Sequence, residues 1–287
     1  MAIHGLYQAW QHRRQVLSNK IDNFLLLLWK TVYDIFVICG KVAIFFYTSF
    51  FIAFRRPYRF EELIRHMEFI GNKSILIISV TGVFTGLALT YQIYMGFNMV
   101  NATNLVGPVV AWGITRELGP VLTGLIVAAR AGGAMSARLG TMRVSEQIDA
   151  LEVMGINPKH YLVSPRILAA IITMPLLCGV FDFVAIFGAH FLSINVLNLD
   201  EAIFWEKIQQ WISPGDINEG LIKAAFFGII FTAICTYMGF HAKGGARGVG
   251  EATNKGVVYS MVMIICFNFF ITNMVHFYHI IMGTSKW

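Results

Sequence analysis

The residues with the clearest chemical potential in this sequence are two adjacent charges inside a long apolar run. Arg116 and Glu117 lie near the middle of residues 104–130, where a charge costs roughly 2.5–3.5 kcal/mol if the run crosses a membrane. Neighbouring residues of a helix point about 100° apart, so these two side chains cannot pair well along one face. Each therefore needs another partner, which could be water, a second helix or a ligand.

Pro120 lies one helical turn after the two charges. Because proline has no N–H, the carbonyl of residue 116 loses its usual helical donor, and the helix is weakened where the charges lie. Such a break is tolerated only inside protein or beside a water-filled cavity. Two interpretations stay open at this point: a buried ion pair that holds helices together, or a polar functional site in a cavity.

Further polar residues interrupt the other apolar runs. Asp182 and His190 lie in the third run, Lys223 in the fourth and Asn268 in the fifth. Lys223 is near one end of its run, where a long side chain can extend to the membrane surface. Asp182 lies deeper, so we expect its carboxyl to be protonated or paired.

No pattern typical of a catalytic or metal site stands out. His276 and His279 have no third ligand near them, and the four cysteines are isolated, without C-x-x-C spacing. Residues 244–250 are rich in glycine but lack the order of a Walker A loop. We therefore predict no metal site, no catalytic residues and no nucleotide-binding site in this chain.

Composition identifies the elements that must position these residues. Only 13% of the 287 residues are charged and 56% are hydrophobic, whereas about a quarter of an ordinary soluble domain is charged. A membrane-spanning helix needs about 20 mainly apolar residues. We therefore predict an all-α membrane protein with five spans, at about 74–95, 104–130, 167–195, 219–240 and 256–282.

A sixth apolar stretch, residues 34–54, has basic residues on both sides. Both flanks favour the cytoplasmic face, so we predict an interfacial helix rather than a sixth span. Ten of the 22 basic residues precede Ser74, which places the N-terminus in the cytoplasm and, after five spans, the C-terminus in the periplasm. Because the basic residues flank apolar runs and form no stripe with aromatics, no nucleic-acid partner is expected.

The loop after the second span has the pattern of an amphipathic helix. Apolar residues recur at spacings of three to six from Ala134 to Met154, and Gly155 and Pro158 end the segment. The positions between them carry five charged residues: Arg138, Arg143, Glu146, Asp149 and Glu152. A short cytoplasmic helix of this kind is typical of a surface that contacts a partner.

Several blocks of sequence resemble the MlaE/YrbE permease family, the membrane subunits of Mce-type ABC lipid transporters. The blocks are Gly82-Val83-Phe84-Thr85-Gly86, Thr115-Arg116-Glu117-Leu118-Gly119-Pro120-Val121-Leu122, Ala129-Arg130-Ala131-Gly132, Met142-Arg143-Val144-Ser145-Glu146-Gln147-Ile148-Asp149-Ala150-Leu151 and Ser164-Pro165-Arg166. The resemblance extends from about Glu61 to the C-terminus. It therefore divides the chain into residues 1–60, a cytoplasmic N-terminus with the interfacial helix, and residues 61–287, the permease domain.

The resemblance implies a set of partners for a protein of the bacterial inner membrane. It implies a homodimer that encloses a lipid cavity, and a separate ABC ATPase that binds ATP and Mg²⁺ and docks on a coupling helix at residues 133–154. It further implies a periplasmic MCE-domain protein, a STAS-domain protein on the ATPase, and phospholipid as cargo, moved towards or from the outer membrane.

The resemblance also gives roles to individual residues. Arg116 has a fork of donors suited to a phosphodiester. Glu117 would balance the arginine or pair with Lys223, and Asn268 lies where the family has an acidic residue. Leu89, Phe97 and Leu118 would form an apolar wall for acyl chains.

Two other classes of function remain as alternatives to the lipid permease. A stand-alone secondary carrier or channel would use Arg116, Glu117 and Asp182 as a path for ions or protons, and it would need no ATPase. A membrane-embedded enzyme would need a nucleophile and base or a metal triad, and neither is evident in the sequence.

Overall fold

The computed structural model describes residues 40–53 and 59–281, together with positions 26, 29, 30, 33, 37 and 38. The described residues form helices joined by turns and contain no strand. The predicted all-α fold is therefore confirmed.

Eleven helices are named here in chain order within the described ranges. They are α1 (Gly40–Ala53), α2 (Phe60–Ile70), α3 (Asn72–Asn98), α4 (Val106–Gly113), α5 (Gly119–Val127), α6 (Gly133–Val144), α7 (Gln147–Val153), α8 (Ser164–Asn195), α9 (Glu201–Trp211), α10 (Pro214–Phe240) and α11 (Gly245–Ile281). Short π-helical turns at Ile114–Leu118, Ala128–Gly132 and Lys159–Val163 join or precede some of them.

Five helical segments are long and apolar enough to cross a membrane, as predicted. They are Phe60–Asn98, Thr103–Val144, Lys159–Asn195, Pro214–Phe240 and Gly245–Phe277. This is a multi-pass membrane protein. The described part of α1, Gly40–Ala53, is apolar and shorter than the roughly 20 residues that a span requires. Its place along the membrane surface stays a prediction, and most of the predicted N-terminal segment lies outside the described residues.

The bundle is held together where α3 and α8 cross. The Cα atoms of Gly82 and Gly86 are buried against the backbone of Phe181 and Ala185, and Gly188 of α8 faces Val83 in return. Small residues let two helices approach until their backbones touch, which replaces the hydrophobic driving force that is absent in lipid. The glycine pair seen in the sequence therefore does position α3 against α8.

The segment predicted as one coupling helix, residues 133–154, is instead two helices. Helix α6 continues the second span and is buried against α10 and α11, and Glu146 then adopts a left-handed conformation with φ of 59° before α7 begins. Only the turn and α7 project from the bundle.

The close α3–α8 crossing predicts a large difference between two glycines of the same helix. A Cβ at position 86 would lie 2.0 Å from the Ala185 carbonyl oxygen, whereas a Cβ at Gly96 meets nothing within 4 Å. Gly86→Ala should therefore lower the thermal unfolding midpoint of the purified protein, despite the gain of about 1 kcal/mol in helix propensity. Gly96→Ala should leave the midpoint unchanged or raise it. Equal midpoints for the two variants would contradict this packing.

Candidate functional site

The second span changes its helical geometry where its two charges lie. Residues Ile114–Leu118 form a π-helical turn, in which the Gly119 N–H donates to the Ile114 carbonyl. Turns of this kind inside α-helices are frequent at functional sites. The weakness that Pro120 predicts in the sequence is therefore a real break in the regular helix.

Lys223 of α10 supplies the donor that proline lacks. Its side chain is fully buried, and its Nζ donates to the Arg116 carbonyl at 3.0 Å, to Glu117 Oε1 at 2.9 Å and to Thr272 Oγ1 at 3.0 Å. An ammonium group has three N–H donors, so these three bonds use all of them. Glu219 Oε1 also lies within ion-pair distance of Nζ, at 3.0 Å. The idea that this lysine extends to the membrane surface is wrong, because its side chain ends inside the protein.

Glu117 is held by three side chains from two other helices. Besides Lys223, Asn268 Nδ2 donates to its Oε2 at 2.9 Å, and Thr272 Oγ1 donates to its Oε1 at 3.0 Å. Glu117 therefore pairs with Lys223 rather than with its neighbour Arg116. Asn268 is a neutral donor here, so the absence of an acidic residue at that position avoids a second negative charge beside the glutamate.

Arg116 makes ion pairs with two acids that the sequence interpretation did not single out. Its Nη2 lies 2.8 Å from Glu219 Oε2 and its Nη1 lies 3.6 Å from Asp216 Oδ1, and its guanidinium stacks 5.0 Å from the centre of the Trp112 ring. The sequence does contain a signal for the acids. Ser213 and Asp216 form the capping box that starts α10, and Glu219 precedes Lys223 by four residues.

A glycine allows α10 to come close enough for these contacts. A Cβ on Gly220 would lie 2.0 Å from the Thr115 carbonyl oxygen, so only glycine permits α10 to touch the π turn at this point. The flanking Glu219 and Lys223 then reach the charges of the second span. We call Arg116, Glu117, Asp216, Glu219, Lys223, Asn268 and Thr272 the polar network.

One residue of the π turn, Leu118, lines an apolar groove of about 590 Å³ that is formed mainly by α3. It is lined by Val80, Thr81, Phe84, Thr85, Ala88, Leu89, Gln92 and Leu118. Leu89 and Leu118 both belong to this lining, and Leu118 is part of the same π turn as Arg116 and Glu117. The structure places Phe97 elsewhere, since it packs against the hydrophobic core and is absent from the groove lining.

Asp182 approaches the π turn from the opposite side, on α8. Its Oδ2 accepts a long contact of 3.7 Å from the Cys178 thiol, and its Oδ1 would lie 1.9 Å from a Cβ at Gly119. The Oδ1 atom is buried and has no hydrogen-bond partner among the described residues. Asp182 is therefore packed against the backbone of the turn but is not part of the polar network.

The residues assigned to partner coupling divide between two places. Arg138 lies on α6 with its guanidinium 4.7 Å from the Phe69 ring, whereas Arg143 forms an ion pair with Asp149 across the turn before α7. Glu146 and Glu152 are exposed. Among the residues that the structure describes, no group of three potential ligands could hold a metal ion.

Comparison with known proteins decides the family. Residues 63–274 match the family model described as Permease MlaE. The chain belongs to the MlaE permease family. This confirms the resemblance carried by the blocks around Arg116 and Arg143.

Individual relatives of this MlaE-family chain carry names that agree with a transport role. A probable ABC transporter permease protein of Rickettsia prowazekii is 39% identical over 235 residues, which cover 82% of this chain and 91% of the relative. The intermembrane phospholipid transport system permease protein MlaE of Haemophilus influenzae is 32% identical over 253 residues, covering 88% and 97%. A chloroplast protein of Arabidopsis thaliana, trigalactosyldiacylglycerol 1, is 36% identical over 210 residues, covering 73% and 60%.

The network predicts that the thermal stability of the protein depends strongly on Lys223, and that a second substitution restores part of the stability lost. Lys223→Met leaves the Glu117 carboxylate and the Arg116 carbonyl without their ammonium partner, and polar groups without a partner destabilise a protein interior. The thermal unfolding midpoint should therefore fall. Adding Glu117→Gln removes the unpaired charge and should recover part of the loss.

The matched control is Lys207→Met on α9, where the lysine contacts only the exposed side chain of Gln210 among described hydrogen bonds. Its midpoint should stay within the error of the unsubstituted protein. A double variant no more stable than Lys223→Met alone would show that the two side chains are not energetically coupled.

Proposed function

We propose that this chain is the permease subunit of an ABC transporter that exchanges phospholipid between the bacterial inner membrane and a periplasmic MCE-domain carrier. The observation that carries the proposal is a guanidinium in a π turn of the second span, beside an apolar groove. Membership of the MlaE family, and the name of the Haemophilus relative, support phospholipid as the cargo.

Arg116 would bind the lipid phosphate. A guanidinium has five N–H donors, and the contacts with Glu219 and Asp216 involve only its two terminal nitrogens. The side chain keeps 18% of its surface exposed, so donors remain available to a ligand. A phosphate would accept charge-assisted and bidentate hydrogen bonds from this planar group.

The charge of the polar network restricts which type of lipid head group can bind beside Arg116. Arg116 and Lys223 supply two positive charges, whereas Glu117, Asp216 and Glu219 supply three negative ones. A phosphate alone would add to this negative excess. A zwitterionic phospholipid brings an ammonium with its phosphate, and the Glu117 carboxylate, whose side chain is 37% exposed, would attract that ammonium.

The groove beside the π turn would hold an acyl chain. Its volume of about 590 Å³ falls within the range of about 300–1,000 Å³ found for small-molecule sites. Leu89 and Leu118 lie on its wall, and Leu118 follows Glu117 directly in the chain. A lipid with its phosphate at Arg116 would therefore place a tail along α3, against Leu89 and Leu118.

A second copy of this chain would close the cavity. In its most apolar stretch, α11 has only 11% of its residues buried, compared with 50% or more in the second, third and fourth spans. The exposed face includes Phe270 and Met274, on the same helix as Asn268 and Thr272. A homodimer formed along this helix would cover apolar surface and bring the two polar networks towards one shared cavity.

A separate ATPase would dock on α7 and the turn before it. Val153 and Met154 at the end of α7 are 88% and 65% exposed, and Glu146 and Glu152 flank them with negative charge. Exposed apolar residues bordered by charge are typical of a protein interface. The ATPase would bind the ATP and Mg²⁺, and a STAS-domain protein would bind the ATPase. The MCE-domain protein would contact the opposite, periplasmic side.

Lipid retention tests the role of Arg116. Arg116→Glu should abolish phospholipid binding, because a carboxylate would repel the phosphate. Arg116→Lys should give a partial defect, since it keeps the charge but loses the planar fork. The measurement is bound phospholipid per chain, by mass spectrometry, in variants purified in assembled complexes with the ATPase.

Lys207→Glu, a charge reversal on exposed α9 near the start of α10, is the control and should bind lipid normally. Unchanged lipid occupancy in an assembled Arg116→Glu complex would refute the head-group role. Failure of both Arg116 variants to assemble would instead show that the arginine is mainly a structural ion-pair partner.

Charge reversal on α7 tests the coupling surface. Glu146→Lys combined with Asp149→Lys should detach or uncouple the ATPase, because it inverts the charge of the surface and places a second positive charge beside Arg143. Co-purification of the ATPase and lipid-stimulated ATP hydrolysis measure the effect. Glu201→Lys with Glu206→Lys on α9, a matched double reversal on another exposed helix, should leave both unchanged. Normal co-purification and ATP hydrolysis in the α7 variant would exclude this surface as the docking site. If the unsubstituted chain never binds an ATPase, a stand-alone carrier would be favoured.

A further inference from the structure

A second cavity, of about 570 Å³, lies far from the polar network. It is formed by α2, by α6 and by the start of α8. Arg138 on its wall follows Arg116 by about six helical turns of the second span, or roughly 30 Å. The two sites are therefore at opposite ends of the same span, and the residues assigned to cargo binding do not line this cavity.

Arg166 is the central charged residue of this cavity. Its side chain is buried, with 6% of the residue exposed, and it donates to the Leu162 carbonyl of the preceding turn. Among the described residues, no carboxylate lies within ion-pair distance of it. Arg138 and Glu62 are the charged groups close enough to act on it electrostatically. A buried charge without a counter-ion is costly. A ligand that brings a negative charge to this guanidinium would therefore be stabilised.

The remaining charges of the lining do not provide that partner. Three arginines, Arg65, Arg138 and Arg166, face one carboxylate, that of Glu62. Glu62 lies 3.7 Å from Arg65, which also pairs with Glu61 at 2.6 Å. The acidic side chains at this end of α2 are thus already engaged with Arg65, and the excess positive charge belongs to Arg138 and Arg166.

We propose that this cavity binds the phosphate of an anionic phospholipid from the membrane leaflet at this end of the spans. Arginine is suited to phosphate because its planar donors match two phosphate oxygens at once. Phe69, Met142 and Leu162 give the same cavity an apolar wall, which accommodates the glycerol and the first methylenes of the chains.

The site is separate from the cargo site in chemistry as well as in position. The polar network has an excess of negative charge, whereas this cavity has an excess of positive charge. An anionic lipid held here would bridge α2, α6 and α8, and so would connect the entry to the first span with the helix that leads to α7. The inference does not depend on the proposed transport function.

Native mass spectrometry of the full-length chain, with phosphatidylglycerol or phosphatidylcholine titrated in turn, tests the proposal. The unsubstituted protein should bind one phosphatidylglycerol per chain more tightly than phosphatidylcholine. Arg138→Gln and Arg166→Lys should each weaken that binding about tenfold, the effect expected from one charge-assisted hydrogen bond. Glu62→Gln should strengthen it, because it removes the one carboxylate from the cavity lining.

Arg247→Gln is the matched control, since Arg247 is an exposed arginine at the start of α11 whose described ion pair is with Glu251. It should leave phosphatidylglycerol binding unchanged. Competition by inorganic phosphate at constant ionic strength distinguishes free phosphate from a lipid head group as the ligand. Displacement of the lipid would mean that phosphate alone is sufficient for binding. No displacement would mean that the glycerol and acyl chains are needed. The proposal is overturned if phosphatidylglycerol shows no preference, or if Arg138→Gln and Arg166→Lys bind it as tightly as Arg247→Gln does.

Discussion

The structure depends on one constraint: inside a membrane, every polar backbone group must find its partner within the protein. Pro120 removes the usual donor for the Arg116 carbonyl, and Lys223 of another helix replaces it. The same ammonium neutralises Glu117 and reaches Thr272. A single buried side chain therefore links the irregular turn of the second span to α10 and to α11.

The positions of the surrounding helices follow from that link. Gly220 allows α10 to touch the π turn, so that Glu219 and Asp216 reach Arg116 while Lys223 reaches Glu117. Two charges that cannot pair with each other are thus satisfied by opposite charges one turn apart on α10. The two interpretations left open by the sequence are then compatible. The ion pairs hold the helices together, and the same pairs fix a guanidinium beside an apolar groove.

The features that were predictable from sequence arise from local patterns. Apolar length predicts the five spans, and charge in the middle of a span identifies Arg116 and Glu117. The features that were missed depend on which helices meet. No sequence pattern near Asp216 indicates that α10 packs against the π turn. Without that contact, the position of Lys223 is typical of a lysine at the membrane surface. The break at Glu146 was missed because apolar spacings of three to six fit one helix as well as two.

In the proposed function, the Arg116 guanidinium, held by acids of α10, binds the phosphate of the transported lipid. A cryo-electron microscopy structure of the assembled transporter with lipid bound tests it most directly. We expect a phosphate oxygen within about 2.7–2.9 Å of a guanidinium nitrogen, with an acyl chain along the groove that Leu89 and Leu118 line. A bound lipid whose phosphate lies away from Arg116, with Arg116 contacting only Glu219 and Asp216, would contradict it.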